Sequence, residues 1–382
     1  MGFISKALIL SISILVLQLN IAYSRGEVKS KTFLSQTLVS EPGLVHNKYF
    51  YDAEFPKGHV AIRSFDVELV DEKLNPVPLH EVYVHHWTAT RYFQNNGMFP
   101  NNKTRIFKRN SGPCENLTMP YYWGLGGESR GVISDIPEPY GIEVGNPSEL
   151  PKGYDEKWVL NVMTIDTRGA IDKFGCTECR CDLFDGPKSN FTKEYKGGVK
   201  CCVDNTRCKL IKGFQGPKKI LRFRYTIKWV EWDQHQVPVR IHVIDVTDNV
   251  VKNGSQALHH CQLEYSIFPE NYGPVNVKKA NISIGKGGYL IYGAAHQHAG
   301  SVGATLYGQD GRVLCTSTPK YGKGKEAGNE KGYVVAMSEC LPKPGSVKIN
   351  DNEILTMESR YQNKFLTGLM GHFYILVAEK LA

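Results

Sequence analysis

The sequence has few of the signals that indicate helices, membrane spans or common hydrolase sites. No amphipathic pattern runs for three helical turns, which argues against a helical fold. After residue 24, no segment approaches the roughly 18 uninterrupted apolar residues that a membrane span needs. There is no Gly-x-Ser-x-Gly elbow, no His-Glu-x-x-His pair and no nucleotide-binding glycine loop that leads into a helix. These absences argue against α/β-hydrolase, zincin and nucleotide-binding chemistry.

A continuous stripe of positive charge is also absent, although the formal net charge is +8. The basic residues are mostly single, apart from the pairs Lys108-Arg109, Lys218-Lys219 and Lys278-Lys279 and a loose cluster of Lys320, Lys323 and Lys325 in a glycine-rich stretch. A protein that binds nucleic acid needs such residues on one face or stripe. The sequence therefore predicts no nucleic-acid partner, and its charge is typical of a solubilising surface. It does not indicate the oligomeric state.

The first 24 residues have the pattern of a secretory signal peptide. Lys6 supplies a positive charge, residues 7–19 are apolar, and residues 22–24 (Ala-Tyr-Ser) form a small-x-small cleavage site. We therefore expect a secreted, extracellular protein. Five Asn-x-Ser/Thr sequons agree with this route and predict glycosylation at Asn102, Asn116, Asn190, Asn253 and Asn281.

Ten cysteines in a secreted chain predict disulfides rather than thiols. Six of them lie between residues 176 and 208, which predicts a small insert stapled by disulfides. Their connectivity stays open, because six cysteines allow 15 pairings. Cys315 and Cys340 flank a glycine-rich excursion and are expected to pair. The full set of candidates is Cys114, Cys176, Cys179, Cys181, Cys201, Cys202, Cys208, Cys261, Cys315 and Cys340.

Short strand patterns fill the rest of the chain. Residues 59–70 and 81–90 are typical examples, and stretches rich in Gly, Pro and Asn separate such runs. This density of strands predicts an all-β fold built from two β-sandwich domains. The predicted segments are a signal peptide (1–24), a first sandwich (25–170), the cysteine-rich insert (171–217) and a second sandwich (218–382).

The predicted strand over residues 289–298 carries the first candidate metal site. His296 and His298 point the same way, because alternate residues of a strand share a face. Two imidazoles on a rigid strand make half of a metal site, although they also suit two hydrogen-bonded side chains at a strand end. Met370 lies in another predicted strand, and a thioether beside two imidazoles favours copper, since soft sulfur prefers Cu(I). His372 shares a face with Met370, which leaves it as a fourth ligand, a supporting donor or a rim histidine.

These motifs, with His85-His86, resemble those of the ascorbate-dependent type II copper monooxygenases. That group includes peptidylglycine α-hydroxylating monooxygenase and dopamine β-monooxygenase. The resemblance covers roughly residues 60–377 outside the insert, and it implies two jelly-roll-like sandwich domains with one copper each. It implies that His296, His298 and Met370 hold the oxygen-binding copper, while His85, His86 and a third residue hold an electron-storing copper.

The third ligand position of the first site falls on Met163, where the resemblance predicts histidine. Three alternatives are open. In the first, Met163 binds copper as a thioether; in the second, a histidine from elsewhere in the chain takes its place. In the third, Met163 only packs in the core and the first site is lost. His85 and His86 are neighbours, so both reach one metal only if the strand is bulged there. The candidate replacement histidines are His235, His242, His259 and His260.

The whole mature chain also resembles the plant stress-up-regulated Nod (nodulin-related) family. Residues 83–87 (Tyr-Val-His-His-Trp), 139–147, 175–182 and 324–330 carry this resemblance. We expect a secreted copper-dependent oxidoreductase of the apoplast that uses O2 and a reductant such as ascorbate on an unknown small molecule or peptide. The alternative is a non-catalytic extracellular copper-binding protein, associated with stress or nodulation, that keeps the fold. We expect one copper per chain, bound in the second segment, rather than two.

Overall fold

The structure is a computed structural model that describes residues 26–382, except 102, 113, 115–123, 125, 133, 186–191, 254–255 and 270–272. The predicted signal peptide and the sequon residues Asn102, Asn116 and Asn190 lie outside the described residues. Asn281 is exposed on a strand. No helix in the described part is long and apolar enough to cross a membrane.

The strands of the first half are β1 (Lys29–Leu34), β2 (Leu38–Ser40), β3 (Val45–Tyr51), β4 (Val60–Asp71), β5 (Val82–Asn95), β6 (Arg105–Phe107), β7 (Ser134–Asp135), β8 (Tyr140–Val144) and β9 (Tyr154–Asp166). Those of the second half are β10 (Lys219–Glu231), β11 (Val237–Asp245), β12 (Asn249–Asn253), β13 (Gln256–His260), β14 (Tyr265–Ile267), β15 (Val275–Ser283), β16 (Gly288–Gln297), β17 (Ser301–Tyr307), β18 (Val313–Ser317), β19 (Pro319–Tyr321), β20 (Val334–Met337), β21 (Glu339–Cys340), β22 (Lys348–Ile349), β23 (Ile354–Gln362), β24 (Leu366–Leu369) and β25 (Gly371–Ala378).

The described part of the chain is nearly all β, which confirms the predicted fold class. Its single α-helix, α1 (Lys173–Thr177), is one short turn. Asp172 caps this turn, because its carboxylate accepts a hydrogen bond of 2.9 Å from the backbone N–H of Gly175. The strands follow the period-two patterns: along β10, buried residues alternate with partly exposed ones for most of its length.

One long sheet connects the two predicted sandwiches, in the order β1-β10-β4-β8-β11-β25-β16-β21. Strand β10 follows the predicted border at residue 217, but it pairs with β1, β2 and β4 of the first segment. Strands β8 and β11 add a short parallel pairing, in which Val237 faces Tyr140. The predicted border is therefore not a break between sheets, and the number of domains stays a prediction.

The two segments also share apolar packing. The largest core cluster contains Phe65 and Tyr225 from one end of the long sheet and Leu290 and Phe373 from the other. Aromatic rings pack closely in this core, with the centroids of Phe65 and Tyr225 6.0 Å apart. This continuous packing fixes β16 and β25 relative to the strands of the first segment.

All ten cysteines are paired, in five disulfides. The expected pair Cys315–Cys340 forms. The predicted insert is stapled internally by three bridges, Cys176–Cys208, Cys179–Cys202 and Cys181–Cys201. Cys114–Cys261 ties the first half of the chain to the second. Five disulfides are typical of a protein that folds in an oxidising, secretory or extracellular compartment.

Candidate metal centre

A local irregularity in β5 lets two neighbouring histidines approach each other. The pairing of β5 with β9 shifts register between Val84 and His86, so His85 is the extra residue of a bulge. The Nδ1 atoms of His85 and His86 are 3.4 Å apart as a result. His86 also contacts Asn161, whose Oδ1 lies 3.1 Å from the Nε2 of His86. The bulge is the condition under which both imidazoles can serve one site.

Each histidine of the His-x-His strand is held by a buried carboxyl group. The Nδ1 atom of His298 lies 2.8 Å from Oε2 of Glu178, and the Nδ1 atom of His296 forms a short hydrogen bond with Glu128. Glu128 lies in a 3-10 turn over Gly127–Gly131, and Glu178 follows α1 in the cysteine-rich insert. All four side chains are buried. An imidazole that donates Nδ1–H to a carboxylate presents an unprotonated Nε2 as a metal ligand.

The opposite nitrogens of the cluster rings lack a hydrogen bond of good geometry. This holds for the buried Nε2 atoms of His85, His296, His298 and His372 among the described residues, although Oδ1 of Asp245 lies 4.0 Å from Nε2 of His372. A buried polar atom without a partner is costly, so native structures rarely contain several of them together. A bound cation would satisfy these atoms, because the neutral imidazole nitrogen is a common metal ligand.

The structure gathers histidines that the resemblance assigns to two separate domains. The rings of His85 and His298 are 4.9 Å apart between centroids, and those of His296 and His298 are 5.2 Å apart. His372 lies directly opposite His296 in the β16–β25 pairing, with their centroids 6.0 Å apart. The candidate ligands therefore form one cluster between β5, β16 and β25, which we call the histidine cluster (His85, His86, His296, His298 and His372).

The cluster has suitable donors for a metal, but its donor atoms lie farther apart than those of a closed structural metal site. In the described part of the chain, the single group of three His, Cys, Asp or Glu residues whose ligand atoms all lie within 4.8 Å of one another is Cys114, Asp245 and Cys261. The two cysteines of that group are joined in a disulfide, so their sulfurs are not free thiolates. The histidine cluster offers the better donors, and three of its nitrogens reach one ion only after side-chain rotation.

Burial favours the neutral form of four histidines of the cluster, His85, His86, His298 and His372. It lowers the pKa of His86 to about 4 and that of His298 to about 3, and neighbouring imidazoles lower both further. Burial likewise lowers the pKa of His85 well below its ordinary value, and that of His372 to about 4. Neutral imidazoles have a lone pair available for a cation at any pH near neutrality.

The two carboxyl groups respond differently to their surroundings. Burial raises the pKa of Glu178 well above its usual range, against the attraction of His296. Burial acts in the same direction on Glu128, but His296 outweighs it and the pKa of Glu128 is lowered. A cation at His298 would oppose the effect of burial on Glu178, because a nearby positive charge lowers the pKa of a carboxyl group.

The cluster forms one wall of a cavity of about 390 Å³. His86, His296, Met370 and His372 line it. Met370 is almost fully buried and precedes β25, and its backbone carbonyl accepts a hydrogen bond of 2.6 Å from the Tyr361 hydroxyl. The cavity volume lies within the range of roughly 300 to 1,000 Å³ that is usual for small-molecule sites.

Comparison with known proteins establishes the family of this chain. A family model described as "Stress up-regulated Nod 19" matches residues 26–380. The chain belongs to this family. No protein in the curated set that was compared matches it. The family resemblance noted in the sequence is confirmed, whereas the similarity to the copper monooxygenases stays a prediction.

Solved structures resemble this Nod 19 family member only weakly. Recombinant N-glycanase F (PNGase F) has a TM-score of 0.30 and 11% identity, over 92% of this chain and 96% of that chain. The infectious bursal disease virus VP2 subviral particle has a TM-score of 0.21 and 10% identity, over 92% and 73% of the two chains. Scores this low carry no argument about function.

In this family member, Met163 lies apart from the cavity. It is fully buried in a small apolar cluster with Val45, Ile165 and disulfide-bonded cysteines of the insert. It does not line the cavity, although its backbone pairs with that of His86. This placement fits the third alternative, in which Met163 packs in the core.

The histidines considered as replacements for Met163 are not members of the cluster. His242 is fully buried on β11, with no hydrogen-bond partner at either ring nitrogen among the described residues. His259 pairs with Asp248 at 2.6 Å, and His235 and His260 are exposed.

The sequence analysis missed both carboxylates that hold the His-x-His pair. Glu128 follows Gly126 and Gly127, and Glu178 lies between Cys176 and Cys179 in the insert. One feature of the sequence could have pointed to these two residues: each is an acidic residue inside a short motif rich in glycine or cysteine. Nothing in the sequence indicates that either motif lies next to residues 296–298.

Proposed function

We propose that this Nod 19 family member is a secreted copper-dependent oxidoreductase whose metal is held by the histidine cluster. The main support for this proposal is the arrangement of His296 and His298. Each has Nδ1 bound to a buried carboxyl group and Nε2 buried without a partner. Carboxylate–histidine–metal arrangements of this kind orient the ring and raise the basicity of the ligand.

Copper is favoured over zinc by the nature of the third donor. Met370 lines the same cavity as His296 and His372 and offers a thioether. Thioether and imidazole together suit copper, because soft sulfur stabilises Cu(I), whereas closed zinc sites use thiolate, imidazole or carboxylate. When bound, copper would supply one-electron chemistry, with O2 as the oxidant and an external reductant such as ascorbate.

The protein itself contributes position and exclusion of water. Glu128 and Glu178 orient the two imidazoles, and Asn161 orients His86 at the cavity wall. Because His86, His296 and His372 line the cavity, a molecule in that cavity meets these imidazoles directly. The cavity therefore supports a catalytic role over the alternative of copper binding without turnover.

Oxygen consumption by the copper-loaded protein tests this proposal. We expect ascorbate-dependent O2 uptake by the wild-type protein, and its loss in the variants His296→Ala and His298→Ala. His235→Ala is the control, because it removes an exposed histidine outside the cluster. Copper retention without O2 uptake, with any reductant, would overturn the catalytic part and leave the non-catalytic alternative.

A further inference from the structure

One face of a single sheet forms the outer wall of the cavity. In the sheet β3-β9-β5-β6, alternate residues share a face. Apart from Trp87, the lining residues of three strands follow this period: Asn47, Tyr49 and Tyr51 on β3; Val159 and Asn161 on β9; His86, Thr88 and Thr90 on β5. The four residue steps from His86 to Thr90 span about 13 Å at a strand rise of about 3.3 Å per residue. The wall is therefore an elongated rigid platform that begins at the histidine cluster.

The platform changes character along its length. Near the histidine cluster it carries amides: Asn161 donates a hydrogen bond of 2.7 Å to Asn47 while its Oδ1 contacts His86. The other end carries Tyr51 and Phe107, which pack at the edges of the buried Tyr92 ring. A ligand on this wall meets polar groups close to the metal ligands and aromatic rings farther away, where the Arg105 guanidinium lies 3.9 Å from the centroid of the Tyr51 ring.

Tyr49 offers an open ring surface on this wall. It is 57% exposed, although it lies in the middle of β3. It forms no hydrogen bond or ring contact with another described residue. A large aromatic side chain that a strand holds toward a cavity, without a stacked ring beside it, can stack on a ligand.

Few of the described residues that line the cavity carry a charged group. Apart from the histidines, these are Arg109, which interacts with another group, and Glu264. Glu264 is occupied, since it accepts hydrogen bonds of 2.8 Å from Tyr195 and 2.9 Å from the backbone N–H of Val199. Burial also raises the pKa of Glu264. The lining therefore favours a ligand that is recognised by ring stacking and amide hydrogen bonds rather than by ion pairing.

We infer that the substrate of this cavity is a small, planar aromatic molecule without net charge, about the size of a substituted phenol. Its ring lies against Tyr49 and the Tyr51–Phe107 end of the platform, and its polar substituent points toward Asn161 and His86. The volume of about 390 Å³ leaves no room for a folded partner or a long peptide inside the cavity. This inference rests on the proposed function only in treating the cavity as the substrate site of the metal centre.

Ligand binding to the metal-free protein tests the inference without any turnover. The probes are 4-methylphenol and its saturated analogue 4-methylcyclohexanol, which match in size but differ in planarity, and binding is measured by calorimetry. We expect 4-methylphenol to bind several-fold more tightly. Equal affinities, or tighter binding of the charged analogues 4-methylbenzoate and 4-methylbenzylammonium, would overturn the aromatic, uncharged assignment.

Variants of the platform locate the binding. Tyr49→Ala should weaken 4-methylphenol binding by roughly 2- to 10-fold, the effect of losing one aromatic pair, and Tyr49→Phe should restore it. Phe268→Ala is the matched control, because Phe268 is a half-exposed aromatic residue that does not line the cavity. An unchanged affinity in Tyr49→Ala would contradict the platform.

One further variant separates this inference from the metal proposal. His298→Ala should lose copper yet bind 4-methylphenol as the wild type does, because His298 does not line the cavity. If the wild type binds no copper but binds the ring, the proposed function fails and the aromatic site stands. If the wild type binds copper but not 4-methylphenol, only the inference about an aromatic substrate fails.

Discussion

Glu178 and His298 join the cysteine-rich insert to the histidine cluster, with Oε2 of the carboxyl group 2.8 Å from Nδ1 of the imidazole. Glu178 lies between two fully buried half-cystines, Cys176 and Cys179. Its backbone carbonyl accepts a hydrogen bond of 3.0 Å from the hydroxyl of Thr367, just before Met370. The insert is therefore part of the candidate site and not an appendage to it.

The Glu178–His298 contact predicts that removing the carboxylate weakens metal binding. Glu178→Gln keeps the size of the side chain but lowers the basicity of His298, so copper affinity should fall roughly 10- to 100-fold. Competition with a chelator of known affinity measures this. Glu353→Gln is the matched control, since it removes a buried carboxylate paired with Arg312 at 2.7 Å. Equal losses in the two variants would show that the effect is general destabilisation.

The disulfides around Glu178 should matter more for metal binding than other disulfides do. The double variant Cys179→Ser/Cys202→Ser frees the segment that carries Glu178, whereas Cys315→Ser/Cys340→Ser opens a bridge elsewhere. Each change should cost about 2–5 kcal/mol of stability. Only the first should lower copper retention, measured on folded protein well below both melting temperatures. Equal retention by the two variants would argue against a role for the insert.

Two buried methionines provide a matched test of the thioether ligand. Met370→Leu and Met163→Leu both nearly conserve volume and should each cost less than about 1.5 kcal/mol. Met370→Leu should weaken binding of Cu(I) more than that of Cu(II), because thioether prefers the reduced ion. Met163→Leu should leave both affinities unchanged, since Met163 packs in the apolar cluster of the insert. A loss of copper from Met163→Leu would restore Met163 as a ligand.

Acid should destabilise the metal-free protein. Burial lowers the pKa of His86 and His372 to about 4 and that of His298 to about 3, against about 6.5 in an unfolded chain. Between these pH values the unfolded state binds more protons than the folded state does. The contribution of these histidines to the free energy of unfolding is therefore complete above about pH 6.5 and decreases as the pH drops toward about 4.

Thermal unfolding of the metal-free protein measures this effect. The melting temperature should fall by several degrees from pH 7 to pH 5. For a chain of this size, each kcal/mol lost from the free energy of unfolding lowers the melting temperature by roughly 2–4 °C or less. The variant His298→Asn should show a shallower dependence. A melting temperature that stays constant or rises on acidification would contradict the assignment of neutral, buried imidazoles.

The fold class was predictable because local rules govern it. Alternation along the strand that became β4, and the lack of any three-turn amphipathic pattern, are properties of neighbouring residues. The pair Cys315–Cys340 was predictable for the same reason, since few residues separate its partners. The pairing of β10 with β1 and β4 was not, because it depends on which sheet edge is free and not on the sequence of β10 itself.

The site was predictable only in its histidines. His296 and His298 stand out because their spacing puts them on one face of a strand. Glu128 and Glu178 are 168 and 120 residues away from their partners, and only tertiary packing brings them there. The contact of His85 with His298 was missed for the same reason, so a site expected to be divided between two domains became one cluster.

Copper content and X-ray absorption of the protein purified from a secretory host test the central claim most directly. After dialysis, we predict one copper per chain, bound by imidazole nitrogens and one sulfur in the reduced state. Copper should be lost in His296→Ala and His298→Ala and kept in His242→Asn, which changes a buried histidine outside the cluster. A wild-type protein without metal, or one whose copper is unaffected by removal of His296 and His298, would contradict the account.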